Sequence, residues 1–246
     1  MIELPRIIGH RGAAKHAPEN TLAGIKAAAA QGATWVEVDV KLTSDRIPIL
    51  MHDDLVDRTT NGNGPVAEKA LADVKQLDAG RWFGAAFIGE QVPTLAEALD
   101  LVWRLGMRIN LEIKPCPGRA EETAGVALTL ARSLWPEGAP PPLVSSFDFA
   151  ALEMARTVAP DWPIGYLIDR RRPDWAEQAD RVRAATIHVN ARREDEASIK
   201  AYRATGRPVL AYTVNSLPAA REVLSWSVAG VFTDTPQTLA PLMAGG

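Results

Sequence analysis

Trp35-Val36-Glu37-Val38-Asp39-Val40, with Ile47-Pro48-Ile49-Leu50-Met51-His52 close behind it, is the stretch that decides the fold. The first run is β-branched and alternating, so as a strand it sends Glu37 and Asp39 to one side and Val36, Val38 and Val40 to the other. Two carboxylates held that close repel each other, and a hard divalent ion with oxygen ligands is the simplest compensation. The connector Leu42-Thr43-Ser44-Asp45-Arg46 is too short for a parallel crossover, which makes the two runs an antiparallel hairpin. Folding about Thr43 to Asp45 sets Met51 and His52 opposite Glu37 and Val36, and so brings an imidazole to the level of the acidic pair.

Upstream of the hairpin, Arg6 to Gly9 reads as a buried strand ending at His10-Arg11-Gly12. A loop with His16, Pro18, Glu19 and Asn20 leads to an alanine-rich helix that Asn20 or Thr21 caps and Gly32 stops. Downstream, periodicity fades over residues 53–93. There Asn61-Gly62-Asn63-Gly64-Pro65 marks turns, a short helix is expected over 71–77, and Trp82, Phe83 and Phe87 are expected to pack as that segment's core. The segment reads as an insertion covering one face of a larger domain.

Helices and strands then alternate to the end of the chain. Strands near residues 7, 36, 110, 145, 165, 187, 211 and 232 number eight once the returning hairpin strand is set aside. With helical connections this predicts a single α/β domain over 1–246: a (β/α)8 TIM barrel with an antiparallel hairpin strand and an insertion after the second barrel strand. An open doubly wound sheet would bring a glycine-rich phosphate loop, and neither GxGxxG nor GxxxxGK[ST] occurs.

The chain has 246 residues, 47% of them hydrophobic, which is enough for one large core. With 27 basic and 30 acidic residues and a net charge of -3, it has no general attraction for nucleic acid or anionic membrane. One cysteine, Cys116, excludes an intrachain disulfide and a zinc cluster. The amino-terminal residues lack a positive region followed by a long apolar segment, and no run of eighteen apolar residues occurs. The expectation is a cytoplasmic protein without an integral membrane segment, of unassigned oligomeric state.

Polar groups recur at equivalent points of this pattern. His10 and Arg11 end the first strand, Glu37 and Asp39 sit in the second, and Glu112 and Lys114 end the third, so a barrel gathers them at the mouth formed by its carboxyl strand ends. Taken singly, each has an ordinary explanation as an exposed strand face, a satisfied histidine or a surface ion pair. Three separate strand ends carrying such groups point instead to a site. Glu37, Asp39 and Glu112 suit one Mg²⁺ or Ca²⁺, Arg11 and Lys114 suit phosphate oxygens, and His10 and His52 suit general base and general acid. His16 and His188 read as structural histidines, Tyr212 and Asn215 as possible pocket residues, and Asp234 as a cap or the partner of a basic group. Cys116 has no case as a nucleophile.

His10-Arg11-Gly12, Pro18-Glu19-Asn20-Thr21, Glu37-Val38-Asp39-Val40, His52-Asp53 and Leu111-Glu112-Ile113-Lys114, in this order and spacing, resemble the glycerophosphodiester phosphodiesterase family. The likeness runs nearly the whole chain and includes Arg58-Thr59-Thr60-Asn61-Gly62, Val92-Pro93-Thr94-Leu95, Tyr212-Thr213-Val214-Asn215 and Phe232-Thr233-Asp234. It implies a barrel with an insertion, a divalent cation at Glu37, Asp39 and Glu112, catalytic histidines at His10 and His52, and pocket or supporting roles for Glu19 and Asn20. It also implies hydrolysis of small soluble glycerophosphodiesters to glycerol 3-phosphate and an alcohol. Many members have tryptophan where this chain has Tyr212. Phospholipase D-like barrels acting on larger lipids, and a barrel that binds phosphate ligands without turnover, remain the alternatives.

Overall fold

The run centred on Val38 forms a strand longer than its β-branched core, Trp35–Leu42 (β2), and every residue in it is buried. In the computed structural model, which describes residues 2–243, it is one of eight parallel strands that close on themselves. The expected domain span of 1–246 extends past these limits at both ends. The others are β1 (Ile7–His10), β4 (Arg108–Ile113), β5 (Leu143–Ser146), β6 (Ile164–Ile168), β7 (Thr186–Asn190), β8 (Val209–Tyr212) and β9 (Gly230–Thr233). β1 pairs with β9 on one side and β2 on the other, which closes the ring, while β3 (Pro48–Leu50) lies antiparallel on β2. Helices connect the parallel strands, so the fold is a (β/α)8 barrel.

Alternation along each strand sorts the core. Val36, Val38 and Val40 face outward into the main apolar layer with helix residues such as Leu99, Leu128 and Leu152. Inward-facing Ile8, Trp35, Leu143, Leu210 and Phe232 form a smaller cluster that fills the barrel floor. The polar inward residues of the same strands sit above this floor. Local chemistry fixes where helices begin: Thr21, Asp148 and Ser216 cap α1 (Leu22–Ala30), α5 (Phe149–Val158) and α8 (Leu217–Ser225), and Thr94 with Glu97 forms a capping box on α3 (Leu95–Arg104).

The hairpin exists, but its register differs from the expected one. Val40 pairs with Leu50 and Met51 N donates to Asp39 O at 3.0 Å, so Met51 faces Asp39 rather than Glu37. The turn spans Thr43 to Ile47, closed by Thr43 N to Ile47 O at 3.1 Å with Arg46 at φ 65°, and therefore reverses one residue later than a turn about Thr43 to Asp45. One residue of turn displaces the opposite strand by two.

Residues 53–93 contain only short helical turns, and the helix expected over 71–77 stops early, as α2 (Leu71–Val74). Val56, Val66, Val74, Ala79 and Val92 pack with Ile49 and Met51 of the hairpin and with Cys116. The segment thus borrows barrel residues to complete its core. Trp82, Phe83 and Phe87 are not in that cluster, contrary to expectation. They meet edge to face, with ring centroids 5.5 and 5.4 Å apart, and Trp82 stays 39% exposed.

Candidate active site

Strand register places the acidic residues. Pairing of β1 with β2 sets His10 beside Glu37, and pairing of β2 with β4 sets Asp39 beside Glu112. One carboxylate oxygen from each of Glu37, Asp39 and Glu112 lies within 4.8 Å of the other two, and all three residues are buried. Burial, then Asp39 and Glu112, raise the Glu37 pKa well above the carboxylate range, and burial with Asp39 raises that of Glu112. Burial also opposes ionisation of Asp39, but Arg11, Lys114, His52 and a hydrogen bond from Asn20 outweigh it and hold the group at about 2. Glu37 Oε1 is buried without a hydrogen-bond partner. A buried carboxylate with an orphaned oxygen, clustered with two further carboxylates, is a donor set for a hard divalent cation, and the residues fit one.

Cations and supports surround the triad. Lys114 Nζ lies 2.9 Å from Glu112 and 3.8 Å from Asp39, and Arg11 Nε lies 3.1 Å from Asp39. Asn20 donates to Asp39 Oδ2 at 2.8 Å and accepts from Asp39 N at 3.0 Å, so it orients that carboxylate while Thr21 caps the helix. Arg11 N donates to Glu37 Oε2 at 2.9 Å and Arg11 Nη1 to Glu19 Oε1 at 3.0 Å. Arg11 therefore spends part of its fork on protein carboxylates; its Nε, beside Asp39, is buried without a hydrogen bond, and its Nη2 makes none among the described residues.

Both histidines reach the same cavity, of about 400 Å³, whose wall includes Arg11, Glu37, Glu112 and Lys114. His10 Nδ1 lies 2.6 Å from Asp234 Oδ1 and its Nε2 lies 4.0 Å from Glu37 Oε2. His52 Nδ1 lies 2.6 Å from Asp53 Oδ1. Burial pushes Asp234 up, but hydrogen bonds from His10 and Asn215 bring it below its ordinary value. Asp53 is lowered chiefly by Arg58. Ionised carboxylates only accept, so each histidine carries its hydrogen on Nδ1 and offers Nε2 for proton transfer.

The match to known proteins follows this geometry. Residues 10–238 match the model of the glycerophosphoryl diester phosphodiesterase family. The chain belongs to this family. A glycerophosphodiester phosphodiesterase of Caldanaerobacter subterraneus is 33% identical over 98% of both chains, and one of Bacillus subtilis is 32% identical over 97% of this chain and 86% of its own. Among solved structures, an Oleispira antarctica phosphodiesterase in complex with the product sn-glycerol-3-phosphate superposes with a TM-score of 0.93 at 39% identity, covering 97% of this chain and 96% of that one. Family membership makes the chain a hydrolase of glycerophosphodiesters.

Within this family member, several supporting residues escape a reading by sequence alone. Arg58, from the insertion, donates to Asp53 at 2.6 and 3.0 Å and to Glu19 at 2.8 and 2.7 Å, tying the His52 pair to the Arg11 pair. Lys41 is buried on β2 and its Nζ donates to Asp54 at 2.6 Å and to the Lys114 carbonyl at 3.0 Å. Adjacency in His52-Asp53 was a usable signal for one of these contacts, and the position of Asp234 at the last strand end for another. Nothing local marks Lys41, and Arg58, though it opens one of the family-like segments, carries no local sign of the carboxylates it holds. Asn215 holds Asp234 Oδ2 at 2.6 Å and so serves the His10 pair, while Tyr212 lines the cavity and donates to Ile168 O at 3.0 Å. His16 is exposed rather than structural. His188 is buried in the barrel, hydrogen-bonded to Thr186 at 2.9 Å, and burial lowers its pKa to about 3. No helix among the described residues is long and apolar enough to cross a membrane.

Proposed function

We propose that the chain hydrolyses small glycerophosphodiesters to glycerol 3-phosphate and the free alcohol, with Glu37, Asp39 and Glu112 holding one divalent cation, Mg²⁺ or Ca²⁺. The observation that carries this is the buried carboxylate triad with an unpartnered Glu37 oxygen, flanked in one cavity by two carboxylate-supported histidines. When bound, the cation neutralises the triad and draws charge from a phosphate oxygen as a Lewis acid. The cavity, about 400 Å³, has the size of a polar head group rather than an acyl chain.

Arg11 and Lys114 hold the remaining phosphate charge, Arg11 through its free corner and Lys114 as a point charge. His10 is the general base: with Nδ1–H fixed on Asp234, its Nε2 accepts the proton of the attacking hydroxyl. His52 is the general acid and delivers a proton to the departing alcohol from the side covered by the insertion. Asp53 stabilises its protonated form, which burial, the larger influence, disfavours. The negative charge of Asp39 works in the same direction as Asp53. Choline release from glycerophosphocholine, abolished by chelator and restored by Mg²⁺ or Ca²⁺, is the test. Full turnover in metal-free protein would remove the cation from the mechanism, and binding without choline release would leave a phosphate-binding barrel.

A further inference from the structure

The wall of the cavity opposite β2 carries positive charge that the reaction above does not use. β6 and β7 deliver neighbouring loops to the mouth, and these contain Arg170, Arg171, Arg172, Arg192 and Arg193. Two are paired: Arg172 Nε lies 3.2 Å from Asp174 and Arg193 Nε 3.2 Å from Asp169. Arg170, Arg171 and Arg192 have no carboxylate within ion-pair distance among the described residues. The nearby acids are engaged elsewhere, since Asp169 also accepts from Asn190 at 2.8 Å, Glu194 from Tyr202 at 3.2 Å, and Asp195 caps α7 (Glu196–Arg203). Arg192 lines the reaction cavity itself, and its chain neighbour Arg193 lines, with Arg170 and Arg171, a second depression of about 680 Å³.

A cationic head group finds little on this wall. Phe147 is 42% exposed, yet Lys114 Nζ already stands 5.1 Å from its ring centroid and Tyr212 meets it edge-on at 5.7 Å. His188 beneath is neutral, and among the described residues no carboxylate on this wall is free of a partner to receive a quaternary ammonium. The catalytic phosphate is served on the other side by Arg11 and Lys114. An unpaired guanidinium on the far wall therefore faces a different anionic group of the same ligand.

Building on the proposed hydrolysis, we propose that the Arg192 wall selects glycerophosphodiesters in which one of the two alcohols carries a second negative charge, such as a phosphorylated polyol. The substrates to compare, with cation-loaded enzyme, are bis(glycerophospho)glycerol, whose alcohol is anionic, glycerophosphoglycerol, whose alcohol is neutral, and glycerophosphocholine. The expected ratio of kcat/KM, anionic over neutral, is about tenfold, the scale of one charge-assisted contact, and resides mainly in KM. Arg192→Gln is expected to bring that ratio near one, with the melting curve showing that the variant is folded, and Arg170→Gln combined with Arg171→Gln, with Arg192 kept, to lower it only partway and at low salt. Equal kcat/KM for all three substrates, a preference for glycerophosphocholine, or a ratio unchanged in Arg192→Gln overturns the selectivity while leaving the hydrolase reading intact. Absence of turnover on every diester overturns both.

Discussion

Arg58→Ala removes the link between the His52–Asp53 pair and the Arg11–Glu19 pair. The guanidinium makes four hydrogen bonds of 2.6 to 3.0 Å, two to Asp53 and two to Glu19. Asp53 in turn holds His52 Nδ1 at 2.6 Å, and Glu19 holds Arg11 Nη1 at 3.0 Å. Because the Arg58 side chain is 45% exposed, water screens both pairs, and each contributes no more than about 1 kcal/mol, or roughly 2 kcal/mol of stability together. The chemical effect is separate. Without the clamp, His52 and Arg11 each lose the far anchor of the carboxylate that orients them, which is expected to lower kcat by about 10- to 100-fold, or roughly 1.4 to 2.7 kcal/mol of transition-state stabilisation. The assay pairs denaturant melts with kcat and KM for glycerophosphocholine and for the p-nitrophenyl ester of glycerol phosphate. The loss should be smaller with p-nitrophenol, which leaves without a well-placed acid, and Arg58→Lys should fall between parent and alanine because it keeps charge without the fork. A variant that loses stability yet keeps kcat/KM within about twofold of the parent would show that the clamp holds the insertion and does not reach the chemistry.

Arg11→Lys is expected to cost most of the activity, because a point charge cannot hold Glu19 and Asp39 and still present a corner to phosphate; unchanged turnover and affinity would dismiss that role. His52→Ala should damage choline release far more than p-nitrophenol release while His10→Ala damages both, and the reverse pattern would exchange base and acid. His188 is buried neutral with its pKa lowered to about 3, so below its unfolded value near 6.5 the unfolded chain binds a proton that the folded chain excludes. Its contribution to stability is complete above that value and is lost by about 1.4 kcal/mol per pH unit as pH falls toward 3. His188→Gln, which keeps a polar partner for Thr186, should therefore flatten the difference between melts at pH 7 and pH 5 by roughly 2 kcal/mol, and an unchanged difference would mean that His188 already takes up a proton when folded.

The local sequence determined the elements and their faces. Period-two alternation in residues 35–40 separated carboxylates from valines, and the count of such runs between helical segments left few closed solutions besides the barrel. A cap at Asn20 or Thr21 could be read because capping depends on residues within one turn, and the structure gives it to Thr21. The acidic triad and both histidines were legible for the same reason: a barrel converts position at a strand's carboxyl end into a place at the mouth, so sequence spacing carries spatial information. Register was not legible, since a point of reversal one residue later in the chain, with Arg46 in the left-handed region, moved Met51 from Glu37 to Asp39. Contacts between distant segments lay beyond the sequence altogether. Asp234 meets His10 across 224 positions only because β9 closes on β1, and Arg58 meets Glu19 only because the insertion folds back over the first loop. Side-chain hydrogen bonds of that kind depend on three-dimensional closure and leave no local periodicity. The sequence thus determined which groups stand at the mouth, and tertiary structure decided which of them hold one another in place.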